Sequence, residues 1–241
     1  MALDDELRSD HPMTNEMHKL GSHLWRLVQN ESRKVVLVTS ALRGEGKSTT
    51  VAYLSAALAM HPGRKILALD TDFRNPSLNR HFGVMVHHGL AEVLRGECTI
   101  SDAILHTGLA NDGSGLDLLV PDPQDADPDV LLNTPKLVEL FRFLRHGYDM
   151  VLVDVPALIP VPDGATVMPH CDGVILAVMA GLSTRHHVRR ARELCIGLGA
   201  EILGVVVGNV QQAAPEYMDV NYYGYAAVRS KKRAPRPRVN P

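Results

Sequence analysis

The chain has 241 residues, 45% hydrophobic and 22% charged, which is enough apolar material for a buried core and excludes a disordered polymer. Its formal net charge of −2 and three scattered cysteines, Cys98, Cys171 and Cys195, exclude a globally basic nucleic-acid binder, a disulfide framework and a paired-cysteine metal module. No apolar run approaches the roughly 20 residues that cross a bilayer, and the acidic start MALDDELRSDHP lacks the pattern of a signal peptide, so the expectation is a soluble protein of a reducing compartment.

In chain order, residues 14–28 predict an amphipathic helix with Met17, Leu20, Leu24 and Val28 on one side. Gly21 weakens that helix, and Trp25 is expected to pack it onto the body. KVVLVTS from Lys34 is a short, nearly continuous apolar run, as in a strand covered on both faces. ALRGEGKST follows, then the Ala/Leu-rich helix signal VAYLSAALAM, then a second buried strand, KILALD at 65–70. Strand, glycine turn, helix and strand make a right-handed βαβ unit.

Residues 76–108 predict short helices and loops, and 115–120 a strand. The Pro/Asp-rich stretch 121–129 predicts a surface loop, and 130–146 a helix with Leu131, Val138, Leu140, Phe141 and Leu144 on its apolar side. Strands are expected at 150–155, 173–179 and 202–208. A helix over 183–198, capped by Ser183, carries a stripe of Val188, Ala191, Leu194, Cys195 and Leu198. The fold class is therefore α/β, three layers, a mainly parallel central sheet flanked by helices. Three regions result: an N-terminal lead and helix over 1–30, a nucleotide-binding domain over 31–212, and a tail over 213–241. Residues 229–241 hold six basic residues and no acid, so the body is more acidic than the total charge shows. Such a tail is open to three readings: contact with a membrane surface, contact with an acidic partner, or no contact.

The sharpest signal is SALRGEGKSTT at 40–50. It matches G-x-x-x-x-G-K-[ST] at Gly46, Lys47 and Ser48, while Ala41 holds the first glycine position. A glycine turn aims backbone N–H groups at phosphate oxygens, and the next helix adds its positive end. Lys47 would reach the β/γ-phosphates and Ser48 would ligate Mg²⁺. Asp70 and Asp72 end one strand and Asp154 ends another, on the side where the glycine turn opens. Mg-nucleotide explains these acids together, with Asp154 as the Mg²⁺ or Mg-water residue and Asp70 beside it. Asp72 also fits a plain turn former, and Arg74 fits a phosphate contact or an ion-pair partner equally. The twelve histidines show no ligand spacing and are read, like the cysteines, as solvated or packed groups.

From about Lys34 to Asn209 the chain resembles the bacterial tyrosine autokinases of capsule and exopolysaccharide synthesis, which use a P-loop NTPase fold. The resemblance rests on SALRGEGKST at 40–49, ILALDTDFRNPSL at 66–78, VLVDVPA at 151–157, GLAEVLRGE at 89–97, GLDLLVPDPQDADPDVL at 115–131 and GVVVGNV at 204–210. Asp163 and Asp172 fall where that family commonly has aspartates. It implies ATP and Mg²⁺ as cofactors, with Arg43, Gly44, Glu45, Gly46, Lys47, Ser48 and Thr49 around the phosphates and Asn209 on the adenine. Asp70 or Asp72 would orient or deprotonate the acceptor tyrosine. It further implies a C-terminal acceptor cluster, here Tyr217, Tyr222, Tyr223 and Tyr225, whose alternative is a packed aromatic hairpin.

Homo-oligomers, a separate transmembrane activator of the polysaccharide co-polymerase type and a place at the inner face of the plasma membrane follow from the same resemblance, without nucleic acid. Where the family has an N-terminal Glu and two Arg at three-residue spacing, the best register here offers Asn15, His18 and Gly21, and Glu16, Lys19 and Ser22 fit a neighbouring register no better. The wider superfamily includes partition and septum-placement switch ATPases, whose signature lysine corresponds to Leu42 here. The competing readings are such an ATPase and a non-catalytic ATP-binding scaffold.

Overall fold

The computed structural model describes residues 12–29, 33–109, 115–122, 127–160 and 163–210. Among these, strands β1 (Val35–Ser40), β2 (Lys65–Asp70), β3 (Leu105–His106), β4 (Gly115–Leu119), β5 (Met150–Asp154), β6 (Gly173–Met179) and β7 (Ile202–Gly208) form one sheet. Its order is β3-β4-β2-β5-β1-β6-β7, and every pairing is parallel except β3 with β4. The expected strands are all present. The short edge strand β3 has too few residues to show any alternation.

The central strands are apolar throughout because both faces are covered. Val36, Val38, Ile66, Ala68, Leu152 and Ile175 pack beneath α1 (Pro12–Gln29) and α2 (Lys47–Ala59). Alternate residues Val35, Leu37, Leu67, Leu69, Val151 and Val153 pack beneath helices that include α4 (Leu90–Arg95), α7 (Pro135–Gly147) and α9 (Arg185–Gly197). Short helices α3 (Leu78–Phe82), α5 (Ile100–Ala103), α6 (Pro128–Leu132) and α8 (Asp163–Val167) complete the described set.

Gly21 lies where α1 crosses α2, and a Cβ there would stand 3.5 Å from Leu58 Cγ, an ordinary contact, so the crossing has room for a methyl group but little more. Arg64 lies over the Trp25 ring at 3.9 Å, fixing the end of α1 beside the turn before β2.

Two local expectations are corrected. The helix over 130–146 is two helices, α6 and α7, because Pro135 forces Thr134 to an extended conformation (φ −97°, ψ 152°). The break resets the phase: Leu137, Leu140, Phe141 and Leu144 face inward, and Val138 is 47% exposed. The cap of α9 is Thr184, whose side chain accepts the His187 N–H, and not Ser183. Ser183 bonds elsewhere, as described next.

Candidate active site

The C-terminal ends of the parallel strands β1, β2 and β5 open on one edge of the sheet, the side on which such folds bind ligands. After β1, residues 41–46 turn into α2, with Gly44 at φ 81° and Gly46 at φ 84°. Both values lie in the left-handed region, which glycine adopts without Cβ strain. Ala41 is buried and is not among the positive-φ residues, so its position does not demand the usual glycine. Gly46 caps α2 without a side-chain acceptor, leaving the helix's first N–H groups to serve an anion.

Glu45 is 2% exposed and braces this loop from within. One carboxylate oxygen accepts the Leu42 N–H at 2.7 Å, and the other accepts the Ser183 hydroxyl. Ser183 in turn accepts the Met179 N–H at 2.8 Å. The phosphate loop is thus tied to the turn after β6, across 138 residues of sequence. A second set of ties joins it to the loop after β5: Leu158 N–H donates to Ser40 O at 2.9 Å and Ile159 N–H to Ala41 O at 3.3 Å.

Asp154 ends β5 in register with Val38 on one side and Asp70 on the other. Both aspartates are fully buried. Asp70 accepts N–H groups from Asp72 at 2.9 Å, Ser77 at 2.9 Å and Leu78 at 3.2 Å. No well-formed hydrogen bond reaches either carboxylate oxygen of Asp154, although the Ser48 hydroxyl lies close beside it. Burial pushes Asp154 well above the usual carboxylate range, and the charge of Asp70 adds to it; the Ser48 hydroxyl and Lys47 ammonium favour its charged form. Burial also raises Asp70, to about 6, against the three N–H donors. Lys47, at 8% exposed, opens α2, with Ser48 and Thr49 half-buried after it.

Two sealed oxygens without a well-formed hydrogen bond are costly unless a cation or a charged ligand completes them. With Ser48 beside them, they fit a hard divalent cation such as Mg²⁺.

The remaining residues lie as follows. Asp72 accepts the Asn75 N–H at 3.0 Å, so it builds the turn after β2 while its side chain stays partly exposed near Asp154. Arg74 pairs with the buried Asp163 at 3.0 Å, which resolves its two readings in favour of the ion pair. Asp172 lies at the start of β1, accepting the Lys34 and Val35 N–H groups and pairing with Arg145 at 2.7 Å. It is a structural clamp at the opposite end of the strand. Arg43 is exposed on the loop. Asn209 follows β7 at φ 58° and donates to Ala180 O at 3.1 Å, on the crevice edge of the sheet. Tyr217, Tyr222, Tyr223 and Tyr225 lie outside the described residues. The Glu45–Ser183 brace has no local sequence signal, since the partners are distant and each is an ordinary loop residue.

No family model matches the chain. It is 30% identical over 205 residues to the tyrosine-protein kinase CpsD of Streptococcus agalactiae serotype III, covering 84% of this chain and 86% of that one. Its fold superposes on the kinase domain of Escherichia coli tyrosine kinase ETK with a TM-score of 0.73 at 26% identity, over 79% of this chain and 73% of that one. It also superposes on the septum site-determining protein MinD of Pyrococcus horikoshii, complexed with Mg-ADP, with a TM-score of 0.62 at 28% identity, over 78% and 76% of the two chains.

Proposed function

The chain belongs to the bacterial tyrosine-protein kinases, and we propose that it phosphorylates tyrosines of its own C-terminal segment, in trans, as a control on capsule or exopolysaccharide synthesis or export. The observation that carries the catalytic part is the buried carboxylate of Asp154, which no backbone N–H holds, beside Ser48, Lys47 and Asp70.

In this reading the N–H groups of 43–49 and the Lys47 ammonium hold the ATP phosphates, and Ser48 and Asp154 hold Mg²⁺. The cation, when bound, neutralises charge on the transferring phosphoryl group. Tyrosine, with an ordinary pKa of about 10, must lose its proton as the phosphoryl group arrives. Asp72 is the better placed of the two remaining acids to meet it, because it keeps exposed surface. Asp70 is enclosed and holds the Asp72 N–H, so its part is to position Asp72 and to support the cation site. Asn209 contributes to the adenine end, and the exposed Arg43 covers the phosphates.

The partners of this reading are further copies of the chain and a separate transmembrane activator. None of the described helices is long and apolar enough to cross a membrane, which fits anchoring through another protein. The likeness to MinD favours a second reading, a switch ATPase with water as acceptor; Leu42 in place of that group's lysine counts against it.

Incubation of the purified chain with Mg-ATP, with and without a matching activator, and mapping of phosphate by mass spectrometry tests the proposal. Phosphotyrosine dependent on Asp154 supports it. Release of inorganic phosphate without phosphotyrosine favours the switch ATPase.

A further inference from the structure

A second group of chemically distinct donors sits one strand away from the crevice. His88 precedes α4, Glu92 lies in its first turn, and Cys98 follows its C-terminal glycine, Gly96. One ligand atom from each lies within 4.8 Å of the other two. His88 Nδ1 is 3.1 Å from Glu92 Oε2. Four-coordinate zinc, with bonds of about 2.0–2.3 Å, holds its donors roughly 3.5 Å apart, a spacing that His88 and Glu92 already meet, so small side-chain adjustments that draw Cys98 Sγ inward complete the set.

We propose that His88 Nδ1, a Glu92 carboxylate oxygen and Cys98 Sγ form a site for a borderline-soft divalent cation, zinc first, with a fourth position open to water.

The capping role of Glu92, which accepts the Gly89 N–H at 3.0 Å, accounts for that carboxylate alone. It does not account for an imidazole and a thiol converging on it. A mixed N, O and S set selects zinc over magnesium or calcium, which take oxygen only. Negative charge gathers near the site as well, from Asp102, Glu97 and Asp122 around Cys98, which favours a cation. His88 is exposed and Glu92 and Cys98 are half-buried, so a cation has a path in. The other two thiols do not compete. Cys195 is sealed in the core, and Cys171 donates to Val167 O.

A bound cation would link the start of α4 to the segment after it. Leu90 N–H bonds Val120 O at 2.8 Å, so that start is pinned to the end of β4, next to β2 and Asp70. The inference stands independently of the kinase reading.

The test uses the reduced, chelator-stripped full chain titrated with Co²⁺ and then with Zn²⁺ in competition. One thiolate-bound Co²⁺ per chain is expected, with a sulfur-to-cobalt charge-transfer band and the intense visible bands of tetrahedral cobalt. Cys98→Ser should abolish the charge-transfer band, Cys171→Ala should keep it, and His88→Ala, at an exposed position, should weaken Zn²⁺ about tenfold or more. No thiolate band, a band that survives Cys98→Ser, or unchanged Zn²⁺ affinity in His88→Ala overturns the site. Cobalt bound through oxygen alone, as at Asp154, gives no such band and also overturns it.

Discussion

Asp70 and Asp154 stand opposite each other on paired positions of β2 and β5, both sealed from solvent, yet only Asp70 is held by backbone N–H donors. Without a cation this arrangement strains the fold. Asp154→Asn removes a buried like charge while nearly keeping its shape. We expect a higher melting temperature for the variant in the absence of nucleotide, together with a loss of tyrosine phosphorylation of about 100-fold or more. A lower melting temperature for the ligand-free variant would contradict the role assigned to Asp154.

The same pair sets a pH dependence. Its folded pKa values are raised, so the folded state binds more protons than the unfolded one, and stability must fall as pH rises. For Asp70 the window runs from the unfolded value of about 3.9 to about 6, and Asp154 extends the fall upward. Thermal melts of ligand-free protein should show this slope, and Asp154→Asn should flatten its upper part. Saturating Mg-ATP should oppose the slope, because it favours the ionised carboxylates. A stability that climbs through this window in wild type but not in Asp154→Asn is the contrary result.

Lys47 opens α2 and is the side-chain cation at the end of the glycine turn. Lys47→Ala should weaken ATP binding and reduce phosphoryl transfer about 100–1,000-fold, with the circular dichroism spectrum unchanged. Calorimetric titration with ATP checks the first point and phosphotyrosine yield the second. Turnover equal to wild type would remove Lys47 from the site.

The brace between Glu45 and Ser183 should act through loop position. Glu45→Ala leaves the Leu42 N–H and the Ser183 hydroxyl without their acceptor, a loss of about 1–3 kcal/mol. Its effect should appear as weaker ATP binding of about tenfold. Ser183→Ala should do the same to a smaller degree, and the double variant should fall short of the sum, since both act on one contact. Fully additive effects would separate the two residues.

The sheet was legible because continuous apolar runs such as 35–40 and 150–154 have one physical explanation, burial on both faces. The phosphate loop was legible because its chemistry is local. What escaped the sequence was nonlocal. Glu45 and Ser183 meet only after β6 is placed beside β1, and His88, Glu92 and Cys98 meet only because Gly96, at φ 79°, turns the chain back after α4. Asp70 shows a middle case: its place at the strand end could be read, but not that three N–H groups of its own loop would hold it. Pro135 was visible, yet apolar periodicity on both sides of it masked the break between α6 and α7.

Gly21 yields a stability prediction of opposite sign for two substitutions. A Cβ there meets only ordinary contact distances, 3.5–3.7 Å, to Leu54 and Leu58. Gly21→Ala should therefore stabilise the protein by about 0.5–1 kcal/mol through helix propensity. Gly21→Leu should overpack the crossing of α1 and α2 and destabilise by about 1–3 kcal/mol. Denaturant melts measure both. If alanine destabilises as leucine does, the helices sit closer than this packing.

The last prediction concerns the acceptor. Four of the six tyrosines lie at positions 217, 222, 223 and 225, just ahead of the basic segment 229–241. Replacing Tyr217, Tyr222, Tyr223 and Tyr225 by Phe should abolish most self-labelling with Mg-ATP and leave ATP binding intact, because these residues receive phosphate and do not hold the nucleotide. Mixing Lys47→Ala protein with wild type separates the routes: phosphotyrosine on the Lys47→Ala chains means transfer between subunits. Each phosphate adds about −1.5 to −2 charge beside six basic residues, so labelling should also weaken binding of the full chain to anionic vesicles, and higher salt should shrink the difference. Sustained ATP hydrolysis with an activator present and none of the four tyrosines labelled would move the assignment to a switch ATPase, with Leu42 then a departure from that group's lysine.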